Sequence, residues 1–322
     1  MRLALIGCGA VAAKHAQAIA QDANAQLTWL CDVRSDAAAA MARRYAPTAQ
    51  IANSFDAIPL EELDGVVICS PTAEHYHQVA TALRGRKHVL SEKPLAANSE
   101  QIRELIKLRD SVRCQLSVAF QRRTEAPYMS VRNLISASQA EFGTLKTMHL
   151  FVCERWKQTI EGTWRDDPKL GFGYFGDAGV HQIDSIAFMT GATPLRVQAR
   201  SDRRSRNVEI VTDVRSEWRI DGGKEIPMTA QFVGDANHWR EDIALHFENA
   251  DVLLRNGEIQ VCQANQCERI TTLAQERSPI ADFLETCRGR GNSVAPAECG
   301  LVSALWTEAV LASISSGESR LL

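Results

Sequence analysis

Gly7-Cys8-Gly9-Ala10-Val11-Ala12 follows directly on an apolar run, Arg2–Ile6, and opens a segment of helical periodicity. In this G-x-G-x-x-A spacing Gly7 permits a tight turn, Gly9 lets the backbone approach a pyrophosphate, and Ala12 lets helix and strand pack closely. The helix that starts there offers unpaired N–H groups and the positive end of its dipole to an anion. A second apolar run, Gln26–Cys31, ends at Asp32, 23 positions past Gly9. That is close to the roughly 20 expected of a carboxylate that accepts from a ribose 2′-hydroxyl. Strand, glycine turn, helix, strand and acid together make a nucleotide-binding βαβ unit.

The same alternation continues outward. Further strand candidates are Gly65–Cys69, His88–Leu90 and Gln115–Phe120, with helical segments near 11–21, 35–45, 73–84 and 98–112. Strands alternating with helices at this spacing predict an α/β fold, a Rossmann doubly wound parallel sheet over residues 1–121. The pattern then changes. A helix near 127–138, a strand Thr147–Cys153, a Trp/Gly/Asp-rich stretch and a helix at 178–190 precede the alternating runs Val208–Val214, Ile226–Val233, Asp242–Phe247 and Gly257–Cys262. These fit an antiparallel sheet with one solvated face, and helices near 278–289 and 296–314 close the chain. Residues 122–322 are therefore expected to form an α+β domain, to which the resemblance set out below assigns substrate binding and oligomerisation.

Composition narrows the function. The 322 residues are 45% hydrophobic and carry a net charge of −3 without a basic stripe, which argues against nucleic acid as partner. Nine cysteines form no CxxC pair, and several lie in apolar runs such as Val66-Val67-Ile68-Cys69. That usage suits free thiols in a reducing cytoplasm. No apolar run looks close to the roughly 20 residues that span a bilayer, so no membrane is expected.

Chemistry concentrates at two places. The lysine of Glu92-Lys93-Pro94 closes the strand His88–Leu90, and open α/β sheets bind ligands at such carboxyl ends. In Ser70-Pro71-Thr72-Ala73-Glu74-His75 the proline sets the chain direction, Thr72 is a candidate helix cap, and Ser70, Thr72 and His75 could line the nicotinamide side of a dinucleotide. His75 has a structural role as its alternative, and His75 with His77 makes no metal site, because i,i+2 side chains diverge on a helix. Further on, Asp177, His181 and Asp184 fall within one arc of about 60° at about 100° per residue. His181, with an ordinary pKa near 6.5, suits proton transfer. No metal-ligand spacing accompanies this group. Trp164 and Arg165 are candidates for a substrate wall. Arg155, Lys157, Arg165 and Lys169 fit either an acidic substrate or a solvated run.

The cofactor set read from these segments is Gly7, Gly9, Ala10, Val11, Asp32, Arg34, Ser70, Thr72, His75, Glu92, Lys93 and Gln121. Asp32 favours NAD, since it would repel a 2′-phosphate; Arg34 leaves NADP open. Taken in order, Gly7 to Ala12, Asp32, Ser70-Pro71-Thr72, Glu92-Lys93-Pro94, Trp164-Arg165-Asp166-Asp167-Pro168, the glycine-rich 171–173 and Asp177 to Asp184 resemble the glucose–fructose oxidoreductase / inositol dehydrogenase / rhizopine-catabolism (Gfo/Idh/MocA) family. The resemblance implies a C-terminal domain with a large, mostly antiparallel sheet that makes homodimers or homotetramers. It implies that Lys93 and His181 meet a sugar or cyclitol beside the nicotinamide, with Asp177 nearby. Phe172 departs from the three glycines of many relatives. The expected activity is hydride exchange with a secondary hydroxyl. Redox-assisted glycoside cleavage with recycled NAD and non-catalytic nucleotide sensing are the two alternatives.

Overall fold

The computed structural model describes residues 1–167, 173–202 and 210–322, and the side chain of Trp164 lies outside that description. Two compact units emerge: Met1–Thr124 with Arg277–Leu301, and Glu125–Glu276 with Val302–Leu322.

The first unit is built on β1 (Arg2–Ile6), β2 (Gln26–Cys31), β3 (Gln50–Ala52), β4 (Gly65–Ile68), β5 (His88–Ser91) and β6 (Leu116–Val118). All pairs are parallel, in the order β3-β2-β1-β4-β5-β6. The order reverses between β1 and β4, the switch point beside which such sheets bind ligands. The apolar runs are continuous because helices cover both faces: Val66, Val67 and Ile68 are buried, as are Leu3, Ala4, Leu5 and Ile6. The connections are α1 (Ala10–Ala20), α2 (Ser35–Tyr45), α3 (Thr72–Arg84) and α4 (Ser99–Val112). Asn98 caps α4, its Oδ1 accepting from the Gln101 N–H at 2.9 Å. Thr72 is the first residue of α3 rather than its cap; Pro71 holds the cap position.

A returning segment belongs to this unit. Ile280, Phe283 and Leu284 are buried in one cluster with Leu3, Leu5, Ile19, Leu30 and Leu90. Phe283 alone, fully buried, is worth about 3–5 kcal/mol against alanine. The compact units differ from a linear division at 121/122 by residues 122–124 and by the stretch Arg277–Leu301, the latter recruited by burial across the sequence.

The second unit holds α5 (Ala126–Ala137), α6 (Gln139–Phe142), β7 (Leu145–Cys153), α7 (Trp156–Ile160), α8 (Val180–Thr190), β8 (Thr193–Asp202), β9 (Val211–Arg219), β10 (Glu225–Val233), β11 (Arg240–Phe247), β12 (Asp251–Arg255), β13 (Glu258–Gln263), β14 (Gln266–Ile270) and β15 (Arg320–Leu321). The sheet order is β14-β13-β12-β11-β7-β10-β9-β8-β15, antiparallel except for the β7–β10 pair. The mostly antiparallel sheet implied by the sequence is thus present. Alternation in β9 and β10 buries Val214, Trp218, Met228 and Phe232 on one face and leaves Arg215, Glu217, Thr229 and Gln231 exposed on the other. On the buried face Phe232 meets Phe175 edge-on at 5.0 Å, and Phe175 meets Trp306 at 4.7 Å. The strand expected at Val208–Val214 is described from Val211 onward; its first residues lie outside the described ones.

α9 (Pro279–Cys287) and α10 (Ala297–Ser316) complete the chain. By length and composition α10 is apolar enough to cross a membrane, a run that core helices of globular folds share. Its Trp306 and Val310 are fully buried inside the fold. The cysteine reading is corrected as well. Cys262 and Cys267 form a disulfide, and seven cysteines are free. The cause is a two-residue turn, Ala264-Asn265, with φ of 46° and 65°, which sets Cys262 and Cys267 opposite each other on β13 and β14.

Candidate cofactor and active site

The turn from β1 into α1 has a hard side and an open side. Gly7 has φ +84°, and a Cβ there would lie 2.6 Å from the Cys69 carbonyl oxygen and 2.8 Å from the Ser70 nitrogen. Glycine is required because the end of β4 presses on the turn. A Cβ on Gly9 would meet nothing within 4 Å. Gly9 is the N-cap of α1 and no side chain caps it, so the first amides of the helix face open space beside a glycine. Ala12 is fully buried under the sheet. These features fit a dinucleotide pyrophosphate.

Asp32, just beyond β2, braces the same turn. Its Oδ2 accepts the Cys8 N–H at 2.8 Å and its Oδ1 accepts the Arg34 N–H at 2.9 Å. Arg34 itself is largely exposed, its Nε 4.0 Å from Asp32 Oδ1. Burial, then the charge of Asp32, pushes the Cys8 thiol up to about 12, so it stays protonated beside the cradle.

Lys93 follows β5 and shares this rim. Oε1 of Glu92 lies 2.9 Å from Nε2 of His15 on α1, and Oε2 accepts the Lys93 N–H at 3.3 Å. His15 is buried, and the sequence reading passed over it; its position on the sheet side of an eleven-residue helix was the available signal. The Lys93-Pro94 peptide is cis. Cys69 brings a third donor atom within 4.8 Å of those of His15 and Glu92. Burial, then Glu92, holds that thiol far above its ordinary pKa. The trio is a hydrogen-bonded His–carboxylate pair with a thiol beside it.

His75 is held between the turn after β4 and the turn after β5. It is 1% exposed, with Nδ1 2.7 Å from the Pro94 carbonyl and Nε2 2.8 Å from the Ser70 carbonyl. The Ser70 hydroxyl donates to Gln78 Oε1 at 2.6 Å. Gln121 begins the short turn Gln121–Arg123 after β6 and is exposed. Exposed Ala10 and Val11 form the first turn of α1. His77 is exposed, 4.0 Å from Asp56.

The second unit contributes Asp177 and His181. Phe175–Gly179 is a π-helical turn leading into α8. The backbone over this stretch closes i→i+5 bonds, so the turn is wider than an α-helical one. A Cβ on Gly179 would crowd Phe175 and Phe232 at 3.1 Å, so this turn lies flush against the sheet. Asp177 Oδ2 accepts the Trp156 indole N–H at 3.0 Å and lies 3.2 Å from Arg165 Nε. Two positively polarised donors converge on one carboxylate oxygen, an arrangement that favours the ionised form. Trp156 is 5% exposed and rests on Tyr174, ring centres 5.3 Å apart. It was missed in the sequence because its partner lies 21 residues away. Arg165 is thus occupied by Asp177, and Lys157 lies 3.8 Å from Glu161. Two members of the basic run, Lys157 and Arg165, thus have acidic partners. Trp164's side chain, Pro168, Lys169 and Phe172 lie outside the described residues. His181 is half-buried, whereas Asp184 is buried. α8 is tied to the sheet through buried Glu241, which accepts from Tyr128 Oη at 2.6 Å and from Gln182 Nε2 at 3.3 Å. Lys93 belongs to the first unit; Asp177 and His181 belong to the second.

Fold and cradle define a dinucleotide-binding Rossmann unit accompanied by an α+β unit. Residues 1–120 match the family model described as an oxidoreductase family with an NAD-binding Rossmann fold, and residues 128–252 match the GFO/IDH/MocA C-terminal domain. The chain belongs to the GFO/IDH/MocA family. It is 28% identical over 199 residues to an inositol 2-dehydrogenase of Rhizobium meliloti, covering 62% of this chain and 58% of that one. It is 25% identical over 232 residues to a glucose-6-phosphate 3-dehydrogenase of Bacillus subtilis, covering 70% and 63%. These matches span less than two thirds of either relative. In fold it is similar to the WlbA dehydrogenase of Bordetella pertussis, solved with NADH and UDP-GlcNAcA, with TM-score 0.84, 21% identity and 100% and 98% of the chains covered.

Proposed function

We propose that this protein exchanges hydride between a secondary hydroxyl carbon of a sugar, cyclitol or sugar derivative and the nicotinamide of NAD, with NADP as the weaker alternative. The observation that carries the reading is Lys93 on the turn directly after β5, in the same unit and at the same strand ends as the Gly7–Gly9 cradle. Relatives named as inositol and sugar-phosphate dehydrogenases support the substrate class.

Gly7, Gly9, Ala10 and Val11 would hold the pyrophosphate, and Asp32 the adenosine ribose. When bound, the nicotinamide supplies the hydride acceptor or donor. The ammonium of Lys93 would hydrogen-bond the alkoxide as negative charge develops on it, an electrostatic role. His181 would take the hydroxyl proton, worth typically about 10²–10⁴-fold. Asp177, held by Trp156 and Arg165, would accept from a second hydroxyl and fix the ring. The exposed face of the nine-stranded sheet is the surface through which we propose homodimers or homotetramers form.

The test is to denature the purified protein and identify released nucleotide, then screen sugars and cyclitols with added NAD or NADP. Reduced nicotinamide should accumulate with at least one polyol. Bound nucleotide without turnover across a broad panel would overturn the reading.

A further inference from the structure

The imidazole of His75 faces two groups that can only accept. Nδ1 is 2.7 Å from the Pro94 carbonyl oxygen and Nε2 is 2.8 Å from the Ser70 carbonyl oxygen. A neutral imidazole carries one N–H and one lone pair, so it satisfies one of these carbonyls and sets its lone pair against the other. Only the imidazolium donates to both. Pro94 is the neighbour of Lys93, and Ser70 ends the turn against which Gly7 is pressed.

We propose that His75 is a positioning residue for Lys93: doubly protonated, it ties the Ser70 and Pro94 carbonyls together, and loss of one ring proton releases one of them. The carbonyl left without a donor has to find another partner, and where that carbonyl is Pro94's the adjoining Lys93 moves with it. The proposal rests on the reading of Lys93 as the group that meets substrate, but its first test does not use turnover.

The charged groups around the ring are few. Glu92, itself bonded to His15, and Lys93 face it from the turn after β5. α4, packed on α3, brings Glu104 to the Tyr76 hydroxyl next along the helix. Burial lowers the His75 pKa from 6.5; the two carbonyls and Glu92 oppose that shift, and Lys93 adds to it. The sign follows. A base with a depressed pKa keeps its second proton only below that value, so both ties hold on the acid side of the ordinary histidine range and one is lost as pH rises through the depressed value.

The test follows the ring nitrogens of His75 by ¹⁵N NMR from about pH 5 to about pH 8, assigned by loss of signal in His75→Gln. In parallel, Lys93 is followed as its ¹³C-dimethyl derivative, assigned with Lys93→Arg. Two proton-bearing ring nitrogens are expected at the acid end, one at the alkaline end, and a Lys93 resonance that moves at the same midpoint. In His75→Gln that step in the Lys93 resonance should vanish. A ring with one bare nitrogen over the whole range overturns the proposal, as does a Lys93 resonance indifferent to the step. If His75→Gln does not fold, the wild-type comparison of the two midpoints decides alone. A catalytically dispensable Lys93 would sink the functional reading and leave these signals unaltered.

Discussion

The indole N–H of Trp156 donates to Oδ2 of Asp177 at 3.0 Å, so a residue of α7 fixes the acid that enters the π turn before α8. A hydrogen bond to a charged acceptor is worth about 1.5–3 kcal/mol. Trp156→Phe keeps a ring against Tyr174 and removes that donor. We expect kcat/KM for the polyol to fall about tenfold or more, since each 1.4 kcal/mol is tenfold, with nucleotide affinity unchanged. Steady-state kinetics beside a nucleotide titration check this; unchanged kcat/KM would show that Asp177 does not need Trp156.

Lys93→Met removes the ammonium and keeps much of the stem. Removing one electrostatic donor of this kind costs about 10²–10³ in kcat. Because the glycine turn and Asp32 are untouched, nucleotide affinity should stay within about threefold, below 1 kcal/mol. Near wild-type turnover would remove Lys93 from the mechanism.

Asp32 has two duties. It holds the Cys8 and Arg34 amides, and its charge would repel a 2′-phosphate. Asp32→Asn keeps an acceptor and removes the charge. The ratio of kcat/KM for NAD over NADP should fall about tenfold, the effect of about 1.4 kcal/mol. A ratio that does not move would assign Asp32 to bracing the turn alone.

What could be read in advance follows from how locally each feature is encoded. β1 and β4 are buried on both faces, so their apolar runs announce them, and the G-x-G-x-x-A spacing shows Gly7 even though the groups that require it, on Cys69 and Ser70, are remote in sequence. β3 has three residues, Gln50–Ala52, and carries no periodicity to detect. β8 contains Arg196, Gln198 and Arg200 on its exposed face, and the polar half hides the strand. The remaining gaps are long-range. His15 meets Glu92 across 77 residues, and Phe283 joins the Rossmann core from the far end of the chain. Nothing local marks such partners.

The returning α9 is also pinned by a salt bridge. Arg288 donates through Nη1 and Nη2 to Asp22 at 2.9 and 2.7 Å, just beyond the end of α1. The hydrogen bond from Arg288, against some burial and with help from the Asn24 amide, lowers the Asp22 pKa from 3.8. A carboxylate with a depressed folded pKa contributes stability above its unfolded value and loses it as pH falls through the folded one. Arg288→Met should therefore lower stability near neutrality by about 1 kcal/mol, a figure already reduced for a pair partly open to water. The gap between wild type and variant should close on acidification, once Asp22 is protonated in both. Thermal melts at neutral pH and below the carboxylate range check this. A gap that persists in acid would show that Arg288 acts by packing its stem rather than by its charge.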